Sequence, residues 1–163
     1  GRYMLTPQQQ TALRTFVAAD AVLSAIPQNS DGAYALSDAL KVIPSPAFVV
    51  WKTTVSIEEI MRNGMDWARV DNLSVGKARI WDWMGRLGSF DASRINIRAG
   101  IDAAWVGTAA DLAVRAQVYI HCRRPANILE KLFATGTGSD ASPATMAVEG
   151  SIHGSQLKDE MGW

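Results

Sequence analysis

The sequence contains a single cysteine, Cys122. No disulfide can form within the chain, and no cysteine-based metal site can be built. Only two histidines are present, His121 and His153, far apart in sequence. His121 and Cys122 are adjacent, so on a helix they point about 100° apart and cannot share a metal ion on one face. Cys122 reads as a structural thiol. No charge excess exists either, with Lys and Arg totalling 16 and Asp and Glu totalling 16. A free-standing nucleic-acid binder carries a basic surplus, so that class is disfavoured, while a local basic patch is still allowed. No apolar run approaches the ~20 residues that cross a bilayer, no signal-peptide pattern is visible, and no membrane contact is expected.

A glycine-rich loop, Gly136-Thr137-Gly138-Ser139-Asp140, is the one stretch that invites a nucleotide reading. It lacks the lysine of a phosphate-binding P-loop, follows a helix-like run and precedes a strand-like one, the reverse of the required order. Position 141 is Ala where a dinucleotide fingerprint needs Gly. Asp140 would repel phosphate. The loop reads as a helix stop, with Gly136 taking positive φ, and as a hinge. Acidic pairs occur at Glu58-Glu59, Asp66 and Asp71, and Asp159-Glu160. None lies in an apolar pattern that would raise a pKa for acid–base work, and neither histidine is near a nucleophile-elbow sequence. No catalytic residue, cofactor or metal is expected.

What is present is helical patterning, 48% apolar residues and six tryptophans. Thr6, Pro7 and Gln9 form a capping box with proline in the first turn, opening a helix through Leu13, Phe16 and Val17 that Pro27 ends. A second helix is expected over ~31–41. The run 47–51 reads as a strand bounded by prolines. Ser56 caps a brief helix closed by Gly64, a further helix spans 72–86, and Asp91 is expected to cap the next, through Ile95, Ala99 and Trp105. Thr108 opens a long helix through Leu112, Val114, Val118 and Cys122 toward Phe133. Pro125 inside it predicts a kink or two abutting helices. The tail 144–152 alternates like a strand and is expected to pair with 47–52, and 155–161 adds a last helical turn. The fold class is therefore mainly α: a bundle of about five to six helices with a minor two-stranded β element. A helical domain over 4–135, counted from Met4, is expected to precede the glycine hinge, strand and tail of 136–163, a possible assembly arm.

Trp81 and Trp83 stand two apart, so both cannot face one core, and one must meet a neighbouring helix, solvent or a partner chain. An open strand edge at Thr145, Met146, Val148 and Ile152 would suit pairing with another chain. Arg94 and Arg98 lie one turn apart, and Arg115, Arg123 and Arg124 follow on the next helix. These line a surface facing DNA or an acidic partner, or form a solvated face paired with Asp91, Asp102, Asp111 and Glu130.

Three segments together carry a resemblance: Leu5-Thr6-Pro7-Gln8-Gln9, SPAFVVWKT at 45–53, and EKLFATGTGSDASPATMAVEG at 130–150. The chain resembles a family of short proteins encoded among the virion structural genes of tailed bacteriophages. By size, class and setting, the resemblance implies a head–tail connector (adaptor) subunit. It would form a ring of about twelve copies beneath the portal, contacting the portal, the next neck or tail protein and packaged DNA. It implies synthesis in the host cytoplasm, residence at the head–tail junction of the virion, and no catalytic residues. Pro125 departs from the uninterrupted helix of the family pattern. The competing reading is a phage-encoded cytoplasmic module that binds or regulates a host protein.

Overall fold

The computed structural model describes residues 3–163 and divides the chain into two compact units, each drawn from separated stretches of sequence. The fold is mainly α with a minor β element.

The first unit holds the chain up to Phe48, then Pro125–Thr137 and Met146–Trp163. Its first helix, α1 (Pro7–Ala19), begins as expected. The Thr6 hydroxyl accepts from the Gln9 N–H, and the Gln9 side chain accepts from the Thr6 N–H. It ends earlier than Pro27 because the Asp20 carboxylate accepts from the N–H groups of Val22 and Leu23, starting a separate 3-10 turn over Leu23–Ala25. Asn29 caps α2 (Ser30–Leu40). The later helices of this unit are α8 (Ile128–Phe133) and α9 (Gly154–Met161). Leu13, Leu36, Leu129, Ile152 and Leu157 form the centre of its core. Gly154 starts α9 against the Tyr34 ring, where an added Cβ would sit 2.5 Å from a ring carbon. Only glycine permits that approach.

The second unit comprises Val49–Arg124 and Gly138–Thr145. It contains β1 (Val49–Trp51), β2 (Val55–Ser56), α3 (Ile57–Arg62), α4 (Trp67–Asp71), α5 (Val75–Arg86), β3 (Ser89–Phe90), α6 (Ile95–Ala104) and α7 (Ala109–His121). The strand β4 (Arg123–Pro125) follows and leads out of the unit. β2 pairs antiparallel with β3, Val55 opposite Phe90, and β1 pairs with β4. Ser56, Asp66, Ser74 and Thr108 each accept a backbone N–H at the start of a helix, so the caps set where the short helices begin. Asp91 is not the cap of α6. Its carboxylate accepts from Ser93 instead, and Arg94 occupies the cap position without a side-chain bond. Trp81, Met84, Ile101, Trp105, Val114, Val118 and Cys122 fill the core.

Two expectations about the β element and the long helix are corrected. The run from Thr108 to Phe133 is neither one kinked helix nor two abutting ones. α7 stops at His121, Arg123–Pro125 is extended, and α8 restarts at Ile128 under an Asn127–Glu130 capping box. Proline disfavours helical geometry at the residue before it and donates nothing to a ladder, so a strand end suits it. The stretch 144–152 is not a strand. Only Ala144 bridges to Val50, with Trp51 donating to the Ala144 carbonyl at 2.9 Å. Gly150 then turns the chain at φ +86°, its N–H donating to Glu130 Oε2 and its carbonyl accepting from Asn127 Nδ2. The residues from 136 on thus divide between the two units, 138–145 in the second, and 136–137 and 146–163 in the first.

Candidate functional site

α7 carries two rows of apolar or small residues. Val114, Val118 and Cys122 are buried in the core of the second unit. Leu112, Ala116 and Ile120, two residues out of phase and therefore about 200° around the helix, are exposed. This outer row lines a groove of about 720 Å³ whose opposite wall is Ile95 and Ala99 of α6. Basic groups flank it. Arg115 lies one turn before Tyr119 on α7, Arg123 follows the helix end, and Arg98 comes from α6.

Each flanking group is held from behind. The Arg98 guanidinium donates to the Ala92 carbonyl at 2.9 Å and lies over the Trp51 ring, 4.7 Å from its centroid. Tyr119 donates to Asp102 Oδ1 at 2.6 Å and packs against Trp51. Burial, and then the bond to Asp102, push the Tyr119 pKa up, so its hydroxyl stays protonated and keeps Asp102 occupied as an acceptor. Arg115 approaches Asp102 only to 3.8 Å, and Arg123 approaches the Asp140 carboxylate only to 3.9 Å while donating to the Asp140 carbonyl at 3.1 Å. Three guanidiniums and two carboxylates therefore face the groove, leaving one net positive charge.

The glycine loop supplies part of this wall. Gly138 has φ +77°, its carbonyl accepts from the Val49 N–H at 2.8 Å, and Ser139 and Ser142 close the turn on each other. Asp140 and Ala141 at its tip face the groove. The helix before it ends at Phe133 with Ala134 already extended, so Gly136 is not the cap.

A second exposed surface runs along α4 and α5. Trp67, Val75, Trp83 and Leu87 are each at least 60% exposed. Val75, Arg79, Trp83 and Leu87 recur every four residues and form one ridge. Leu73 and Ala78 line both the hollow beside Trp67 and the hollow beside Trp83. Trp81, expected alongside Trp83 as a partner anchor, is 4% exposed and meets Trp105 edge-to-face at 5.3 Å. The pair thus splits, one indole in the core and one outside.

The tail does not present the expected strand. Ile152 is buried in the core of the first unit, where its carbonyl accepts from Ser37 Oγ at 2.6 Å, and Val148 packs against that core. Thr145 is exposed and Met146 half-buried. Among the arginines, Arg98 and Arg123 meet at the groove. Arg94 stands outside its lining, 3.5 Å from Asp91, and Arg124 is half-buried in β4.

Three acidic side chains are more enclosed than the sequence indicates: Asp111, Glu130 and Glu160. Asp111 accepts two bonds from Arg69, at 2.7 and 3.0 Å, and these hold its carboxyl below the usual range. Cys122 is buried, and burial pushes its thiol up to about 12. Folded protein at pH 8 is therefore expected to resist thiol reagents, labelling fully only after denaturant is added. Stoichiometric labelling without denaturant would contradict this burial.

Among the described residues, no three His, Cys, Asp or Glu side chains gather as a metal site requires, and no helix is long and apolar enough to cross a membrane. Compared with known proteins, the chain matches no family model, no curated protein and no solved structure.

Proposed function

We propose that this chain is a non-catalytic assembly subunit of a tailed-phage particle, a head–tail connector that joins its neighbours in a ring beneath the portal. The observation that carries the reading is the exposed α4–α5 ridge. Two indoles and two aliphatic side chains stand in water along α4 and α5, with Leu73 and Ala78 lining the hollows beside both indoles. Large aromatics of this kind anchor protein interfaces, and a soluble monomer rarely leaves so many in one place. The groove on α6–α7 is a second, chemically different surface on the same unit. A connector needs more than one kind of contact surface, one for its ring neighbours and another for the protein that it joins to the ring. The protein would be made in the host cytoplasm and carried at the head–tail junction.

Sedimentation velocity of the purified chain, alone and with the portal protein of the same phage, tests this. Wild type is expected to form higher-order species or a portal complex. Trp83→Asp should weaken that association by roughly tenfold or more while leaving the fold intact. A strictly monomeric wild type that never binds portal would instead favour a cytoplasmic module acting on a host protein.

A further inference from the structure

From the α6–α7 groove we infer a docking site for a short acidic amphipathic helix of another protein subunit. The inference deepens the assembly reading and rests on it for the partner's being a structural protein. The floor is apolar at helical spacing: Leu112, Ala116 and Ile120 recur every four residues, with Ile95 and Ala99 opposite. A guest helix with apolar residues at i, i+3 or i+4, and i+7 can lay that row between α6 and α7, the common geometry of helix-in-groove recognition. Ile95 is 77% exposed and Ile120 51%, so the row is free to be covered.

Charge selects the sign of the guest. Three guanidiniums face the groove against two carboxylates, and the two resident ion pairs are long, at 3.8 and 3.9 Å. Pairs of that length with a solvated carboxylate are weak. An incoming Asp or Glu can take the place of the Asp140 carboxylate on Arg123, leaving the 3.1 Å bond to the Asp140 carbonyl in place, and join Asp102 on Arg115. Arg98 is already tied to Ala92 and Trp51, so it contributes field and shape more than a free donor. Trp51 already carries the Arg98 guanidinium over its ring and packs at a tilt against Tyr119, whose hydroxyl is bonded to Asp102, so both aromatics of the groove are engaged within the chain and neither is set out as a stacking platform for a nucleobase. The favoured guest is therefore a peptide and not a nucleic acid.

Fluorescence anisotropy with the full chain tests this. The probe is a fluorescein-labelled helical peptide of about 16 residues, long enough to hold a helix, with Leu along one row and Glu on both flanks. A matched peptide carries Lys in place of Glu. The Glu peptide is expected to bind saturably and more weakly as salt rises. Binding should fall by about tenfold or more in the double variant Arg115→Glu, Arg123→Glu, and likewise in Leu112→Asp, a change at an exposed position that spares the core. Trp83→Asp, on the other surface, should bind as wild type does. The inference is overturned if the Glu peptide shows no saturable binding. It is also overturned if the Lys peptide binds as well, if the arginine variant is unchanged, or if labelled oligothymidine binds more tightly through the same arginines. Absence of the chain from phage particles would remove the assembly reading yet leave this binding result standing, so the two can fail separately.

Discussion

Glu160→Ala is expected to destabilise the protein by about 2–4 kcal/mol, the cost of leaving several enclosed N–H donors without their acceptor. Glu160 sits near the end of α9 with no exposed surface. Its Oε1 accepts from the backbone N–H of Met4 at 2.6 Å, from that of Leu5 at 3.2 Å and from Gln156 Nε2 at 3.1 Å. Its Oε2 accepts from Gln10 Nε2 at 2.9 Å. One carboxylate thus fastens the residues leading into α1 to the last helix of the same unit, far away in sequence. Alanine would leave these donors without their acceptor and open a void beside Leu5 and Leu157. Glu160→Gln keeps one oxygen for the two backbone donors, and Gln10 can turn its amide to meet the new NH2. That variant should lose roughly half as much. Urea denaturation followed by circular dichroism reads both losses as shifts in midpoint at constant slope. A loss below about 1 kcal/mol for Glu160→Ala would contradict this role.

Trp81→Ala and Trp83→Ala, two residues apart on α5, are expected to differ by several kcal/mol. Trp81 is enclosed between α5 and α6, edge-on to Trp105, which is itself fully buried. Truncating a buried indole removes its transfer energy and leaves a cavity, about 3–5 kcal/mol together. Trp83 is 64% exposed, so its truncation should change stability by no more than about 0.5 kcal/mol. For the proposed association the order is expected to reverse, with Trp83 carrying the effect. The same denaturation series, set beside sedimentation of both variants, gives the cross-over. Equal stability losses at the two positions would contradict the split.

Much of the local structure is legible in the sequence because it is written in local chemistry. Thr6, Ser56 and Thr108 mark helix starts, since a side-chain oxygen must satisfy N–H groups that the helix leaves open. The opposition of Trp81 and Trp83 follows from helical geometry alone. The β pairing is not legible in this way. Thr145, Met146, Val148 and Ile152 alternate as a strand would, but Gly150 turns the chain and Glu130, from a distant helix, fixes that turn. Nothing within 144–152 announces Glu130. Likewise Pro125 signals a break in the helix, but the extended segment around it depends on β1 being there to pair.

The groove is legible only in retrospect. Its parts come from β1, α6, α7 and the turn at 138–142, which no single periodicity links. One signal was present: α7 has two apolar rows about 200° apart, and one core cannot cover both. Leu112 stands in the same apolar run as Val114 and Val118, but the two-residue offset puts it on the other side of the helix, in the row of Ala116 and Ile120. The arginines are visible in the sequence, but which of them converge is a property of the fold. Arg98 and Arg123 do, and Arg94 and Arg124 do not line the groove.

Quantitative mass spectrometry of purified, washed virions is the decisive measurement for the proposed connector role. If the chain is a connector subunit, its peptides are expected there at a copy number close to that of the portal protein and retained in isolated head–tail junctions. Its absence from particles, with the protein recovered only from the soluble fraction of infected cells, would contradict the claim.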